Sequence, residues 1–124
     1  MASLSASRPR ATTARLAVVH RAETCLGASD SPVRVATLCR LLGLSERALR
    51  NAVLAVHGVS PARWMRARRL HAARLTLLEP LHGKTTVTAA ATEQGFYQLG
   101  RFAGIYKAAF GEHPSQTLRR QTSP

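Results

Sequence analysis

Apolar residues return every three or four positions through one segment after another, and no stretch alternates apolar and polar residues over the length of a strand. The pattern predicts an all-α chain of about seven helices. Residues 1–13 read as a disordered basic arm that runs into a first helix, whose apolar positions are Leu16, Val19, Ala22 and Leu26, with Gly27 as its C-cap. Val35–Leu42 is a short helix ended by Gly43. Ser45 N-caps a helix that reaches about His57 and stops at Gly58. Ser60 then Pro61 is an N-cap followed by a first-turn proline, and it opens a long helix to about Leu78 that ends before Pro80. A linker covers Glu79–Thr85. Thr86 caps a short helix ending near Gln94 and stopped by Gly95; a longer one covers about Gln98–Phe110. Pro114 opens a last helix to about Arg120, and 122–124 are a tail.

The pattern repeats. Short helix, glycine turn, longer helix occurs at 35–57 and again at 87–110, and each unit is a helix-turn-helix. In the first, Cys39 is the small residue that lets the helices cross closely, Gly43 makes the turn and Leu49 packs back. Ala91, Gly95 and Phe102 take these roles in the second, with a turn one residue longer. Between them the helix 61–78 carries Trp64, Met65, Leu70, Ala73 and Leu77 in no single stripe, as expected of a connector used by two small cores. Its length, about 27 Å at 1.5 Å per residue, approaches the roughly 34 Å between successive major-groove faces on one side of a duplex.

Charge sharpens this picture. In 124 residues there are 18 lysines and arginines against 6 acids, a formal net charge of +12, and all but Lys84 and Lys107 of the cations are arginine. That balance points to a polyanionic partner, nucleic acid before membrane surface. With 45% hydrophobic residues the chain can still bury a core. No apolar run reaches the roughly 18 residues of a membrane span, and the first 14 residues hold no secretory apolar stretch. Residues 1–22 lack acids and carry Arg8, Arg10, Arg15 and Arg21, as organellar transit peptides do, but their helical spacing favours an arm and a first helix. Cys25 and Cys39 have no metal spacing and read as buried thiols, and the five histidines have no carboxylate or metal partners in sequence. No nucleophile–base pair, phosphate-binding glycine loop or paired carboxylates occur. The expectation is a chain with no catalytic residue, metal or cofactor.

On a helical wheel, Leu49, Ala52, Val53 and Val56 share one arc of the helix 45–57, whereas Arg47, Arg50 and Asn51 lie on the opposite arc with Leu54 among them. Arginine fits guanine O6 and N7 and asparagine fits adenine N6 and N7, each pair contributing about 1–3 kcal/mol of discrimination. In the helix 98–110 the apolar face is Leu99, Phe102, Tyr106 and Phe110. Opposite lie Gly100, Ala103, Gly104 and Lys107, with Arg101 at the edge and Gln98 at the N-terminus. Two readings of that face stay open. Bare backbone lets the helix approach a groove closely with Ala103 on a thymine methyl, or the module mostly holds phosphates through Lys107. Ser45, Arg63 and Arg68 are further phosphate candidates, and at least half of the connector arginines are expected to snorkel around it.

These residues resemble the DNA-binding domain of the AraC/XylS-type transcriptional regulators. The resemblance runs over 35–77 and 86–120 and includes Gly95–Phe96, the LGRF of Leu99–Phe102 and the FGEHPS of Phe110–Ser115. It implies two modules joined by a long helix, placed in adjacent major grooves of a promoter. By position it assigns base contacts to Arg47, Arg50 and Asn51 in the first reader, and to Leu99, Gly100, Arg101, Ala103 and Gly104 in the second, with Lys107 toward phosphate. Two positions depart from the family: Leu54 stands where a polar or basic residue is usual, and Gly104 where a long polar side chain is often found. The expected function is sequence-specific binding of double-stranded DNA in the bacterial cytoplasm, at the nucleoid, by a monomer. RNA polymerase is a further partner; no membrane and no small-molecule effector is bound by these residues. The alternative is a basic RNA-binding or ribosome-associated protein that uses charge without reading bases.

Overall fold

Seven α-helices account for nearly all of the residues that the computed structural model describes, which are 9–29, 31–79 and 85–122. They are α1 (Pro9–Gly27), α2 (Val35–Leu42), α3 (Glu46–His57), α4 (Pro61–Leu78), α5 (Val87–Glu93), α6 (Leu99–Phe110) and α7 (Pro114–Thr122). No strand occurs among the described residues, and no helix there is long and apolar enough to cross a membrane. Of the expected features, residues 1–8 of the arm, 80–84 of the linker, with His82 and Lys84, and 123–124 of the tail lie outside the described residues.

Local chemistry sets the boundaries. The Ser45 hydroxyl accepts from the Ala48 amide at 3.1 Å, Ser60 from Arg63 at 3.3 Å and Thr86 from Ala89 at 3.0 Å, so all three expected N-caps satisfy first-turn donors. At α7 the His113 amide donates to the Gln116 side chain at 2.7 Å, half of a capping box. Gly43, Gly58, Gly95 and Gly111 have φ between 68° and 83°, the left-handed region that a Cβ penalises, and each ends a helix. Both helix-turn-helix turns close alike: the Leu44 amide donates to Cys39 O and the Phe96 amide to Ala91 O, each at 3.0 Å.

Two boundaries differ from expectation. The first helix begins at Pro9, inside the arm expected over 1–13, since proline suits a first helical turn, where its missing N–H has no partner to lose. Gly27 is the last residue of that helix rather than a left-handed cap, and the Ala28 amide still donates to Thr24 O at 3.1 Å.

The chain divides into two units, residues 1–65 and 66–124. In the first, α1 packs against both α2 and α3. Its core is Val19, Ala22, Leu38, Cys39, Leu42, Leu49, Ala52, Val53, Trp64 and Met65. Trp64 is 7% exposed and stacks on His57 with centroids 5.4 Å apart, the core role expected of it. Arg21 donates to Leu42 O at 2.9 Å, so α1 holds a carbonyl that α2 leaves unpaired at its C-terminus. Cys39 is buried as expected, and burial, then the charge of Glu46, pushes its thiol up from the ordinary range; Cys25 is only half-buried.

In the second unit α5, α6 and α7 pack on one another around Leu70, Ala73, Leu77, Ala90, Ala91, Phe102 and Tyr106. Phe96, Phe102, Tyr106 and Phe110 form a ladder of tilted and edge-on rings with successive centroids 5.1, 5.7 and 4.7 Å apart, the offset geometry aromatic quadrupoles prefer. The mixed apolar pattern of α4 now has its cause. Trp64 and Met65 belong to the first core, and Leu70, Ala73 and Leu77 to the second.

Candidate nucleic-acid interface

In the first unit the wheel and the structure agree. Leu49, Ala52 and Val53 are buried and Val56 is half-buried, which turns Arg47, Arg50 and Asn51 outward, all exposed. An open groove runs along this side of α3, lined by Val35, Glu46, Arg47, Arg50, Asn51, Leu54 and the Ser60–Ala62 start of α4. Leu54 is 40% exposed there. Glu46 in the first turn suits the positive end of the helix dipole, and the guanidiniums flank it along one face. Ser45 is exposed and its hydroxyl oxygen already accepts from Ala48, which leaves the hydroxyl proton to donate to an anion. No group of three metal-ligating side chains occurs among the described residues.

The exposed face of α6 is of another kind. Gln98, Gly100, Arg101, Gly104 and Lys107 are exposed and Ala103 is half-buried. Gln98 is the N-cap of α6 but makes no side-chain cap bond. Leu99, expected on the apolar face, is 38% exposed, because α6 has only begun there and its first buried ring is Phe102. A Cβ added at Gly100 or at Gly104 would meet nothing within 4 Å. Neither glycine is required by packing among the described residues, although each costs the helix about 1 kcal/mol relative to alanine.

The connector arginines separate into two kinds. Arg63 and Arg66 are exposed, and Arg68 is half-buried. Arg69 and Arg74 turn inward. Arg69 lies over the Phe96 ring, 5.2 Å from its centroid, and donates to Gln94 O at 3.3 Å, bracing the turn between α5 and α6. Its Nε is buried without a hydrogen-bond partner, and burial, then the charge of Arg66, lowers its pKa from the usual range.

Sequence reasoning missed a polar network under α6. Arg74 lies over the Phe110 ring at 4.6 Å and donates to the Tyr106 hydroxyl at 3.4 Å. The Tyr106 hydroxyl donates to Thr117 at 2.7 Å, and Thr117 donates to the Glu112 carboxylate. Arg120 pairs with the same carboxylate at 2.7 Å, and Arg74 stands 3.8 Å from it. Thr117 is fully buried, so this chain satisfies it and ties α4, α6 and α7 together within the unit. One signal was available: Glu112 is the only acid after Glu93, in a segment with four cations. A lone carboxylate there has more use as an internal anchor than as a surface group.

Residues 38–120 match the model of a family described as a helix-turn-helix domain. Over 83 residues the chain is 40% identical to the "XylDLEGF operon transcriptional activator" of Pseudomonas putida, covering 67% of this chain and 26% of that protein. Over 91 residues it is 37% identical to the "Probable thc operon regulatory protein" of Rhodococcus erythropolis, 73% of this chain and 27% of that one. The chain thus spans about a quarter of the length of these curated relatives. The crystal structure of a probable AraC family transcriptional regulator from Rhodopseudomonas palustris superimposes with a TM-score of 0.74 at 37% identity, covering 86% of this chain and 98% of that one.

Proposed function

The chain belongs to the AraC/XylS-type family of helix-turn-helix transcriptional regulators, and from that premise we propose that it binds promoter DNA sequence-specifically, with α3 and α6 in adjacent major grooves. The observation that carries the reading is the exposed row Arg47, Arg50 and Asn51 on the outer face of α3, the second helix of its helix-turn-helix. Arg47 and Arg50 contact guanine edges and Asn51 an adenine edge. In the second module Arg101 and Gln98 contact bases, while Gly100, Ala103 and Gly104 bring the backbone of α6 close to the groove and Lys107 holds phosphate. The open space over both glycines supports this, since no described residue fills it. Ser45, Arg63 and Arg68 are assigned to phosphates. The inward-facing Arg69 and Arg74 are not, and they hold the second reader in place instead. The family is one of regulators rather than enzymes, and RNA polymerase is the protein partner that regulation at a promoter calls for.

Selection from a randomised duplex library, followed by titration of the selected and random duplexes across salt concentrations, tests this. The selected sequence is expected to bind at least a thousandfold more tightly than random DNA at physiological salt. A ratio near one, with the salt slope accounting for the whole affinity, is the result of a charge-only binder and refutes the reading. Arg47→Ala relaxes the base preference of one half-site, whereas Lys107→Ala weakens every sequence about equally and lowers the salt slope by about one.

A further inference from the structure

The reading face of α3 contains one residue that no hydrogen-bond code explains. Leu54 lies three and four positions after Asn51 and Arg50 and seven after Arg47, so the four side chains share one face. It is 40% exposed and lines the same groove as the two arginines and the asparagine. The packing of α3 is completed by Leu49, Ala52 and Val53, and Leu54 takes no part in the core. Other leucines are exposed too, Leu41 at 62% and Leu75 at 53%, but neither belongs to this row. In a major groove the apolar group a base pair presents is the C5-methyl of thymine. An apolar side chain one turn beyond Arg50 and Asn51 on a DNA-facing helix therefore has one matching occupant.

We propose that Leu54 is a specificity-determining residue that packs on a thymine methyl, next to the bases contacted by Arg50 and Asn51. This rests on the proposed placement of α3 in the major groove. The contact buries the leucine on binding and makes the module prefer T·A at one position by methyl burial alone.

Uracil substitution tests it with the intact protein, because uracil keeps every hydrogen-bonding edge of thymine and lacks the methyl. Each thymine of the selected duplex is replaced singly by uracil, and binding is titrated for the wild type and for Leu54→Ala. In the half-site whose preference Arg47→Ala relaxes, uracil at one position is expected to weaken wild-type binding about fourfold, the weight of one buried methyl. Leu54→Ala is expected to bind the thymine and uracil duplexes equally there, while keeping its preference at the positions assigned to Arg50 and Asn51. No uracil-sensitive thymine in that half-site overturns the proposal, as does a Leu54→Ala protein that still discriminates. Specific binding without methyl discrimination overturns this inference alone. A selected-to-random ratio near one overturns the DNA reading and this inference with it.

Discussion

The two helix-turn-helix modules close their turns with the same hydrogen bond and differ in how each is held and what it shows. The first has an apolar core drawn from α1 to α4, and its second helix presents long side chains. The second has a smaller core rich in aromatic rings, braced by Arg69 and by the network from Arg74 to Arg120, and its second helix presents backbone. In the first unit Arg21 holds the end of α2, and the arginines of α3 lie on the outer face. In the second, two arginines face inward over rings, where cation–π attraction and hydrogen bonds offset their lost hydration. A module that reads with side chains needs only a firm helix behind them. One that reads by close approach depends on the placement of the whole helix, and a hydrogen-bonded frame fixes that better than apolar contacts, which have no direction.

Separate cores are the sharpest part of this contrast and the easiest to break. Phe102→Ala removes a fully buried ring and should cost about 3–5 kcal/mol, and Leu49→Ala about 2–5 kcal/mol. Amide exchange should show protection lost mainly in α6 for the first variant and mainly in α3 for the second. Equal loss in both helices from either variant would mean the units unfold as one. Next in size are the side chains proposed to read bases. Arg50→Ala should lose about 1–3 kcal/mol of discrimination at one base position, and Arg101→Ala less if α6 reads mainly through its backbone. Competition titrations with single-base variants of the selected duplex separate the two.

The internal network comes third. Tyr106→Phe deletes the hydroxyl between Arg74 and Thr117 and should cost about 1–2 kcal/mol, with the loss confined to the second unit in the same exchange experiment. The smallest effect has opposite signs in two assays. Gly100→Ala and Gly104→Ala should each stabilise the fold by about 1 kcal/mol, because the added methyl meets nothing, yet both should weaken DNA binding. Thermal melting and binding titration read the two signs, and unchanged affinity would show that α6 does not need bare backbone.

Much of this was legible in the sequence because helix ends are local. Ser45, Ser60 and Thr86 cap within three residues of themselves, and Gly43, Gly58 and Gly95 turn the chain where they stand. The outward face of α3 followed from a wheel because its apolar arc has one core to meet. The start of α1 and the role of Gly27 were misplaced, since a proline and a glycine near helix ends each permit more than one boundary.

The sequence by itself determined seven helices, the N-caps at Ser45, Ser60 and Thr86, the tandem helix-turn-helix repeat and the face of α3 that carries Arg47, Arg50 and Asn51. Only the tertiary structure decided which of the α4 arginines turn inward. Arg69 meets Gln94 and Arg74 meets Tyr106, partners 25 and 32 residues away, while Arg63 and Arg66 on the same helix stay exposed. Periodicity gives the angle of a side chain about its own helix. Whether another element covers that angle, and offers a carbonyl, a ring or a hydroxyl there, is set by contacts distant in sequence, and a local pattern carries no record of them.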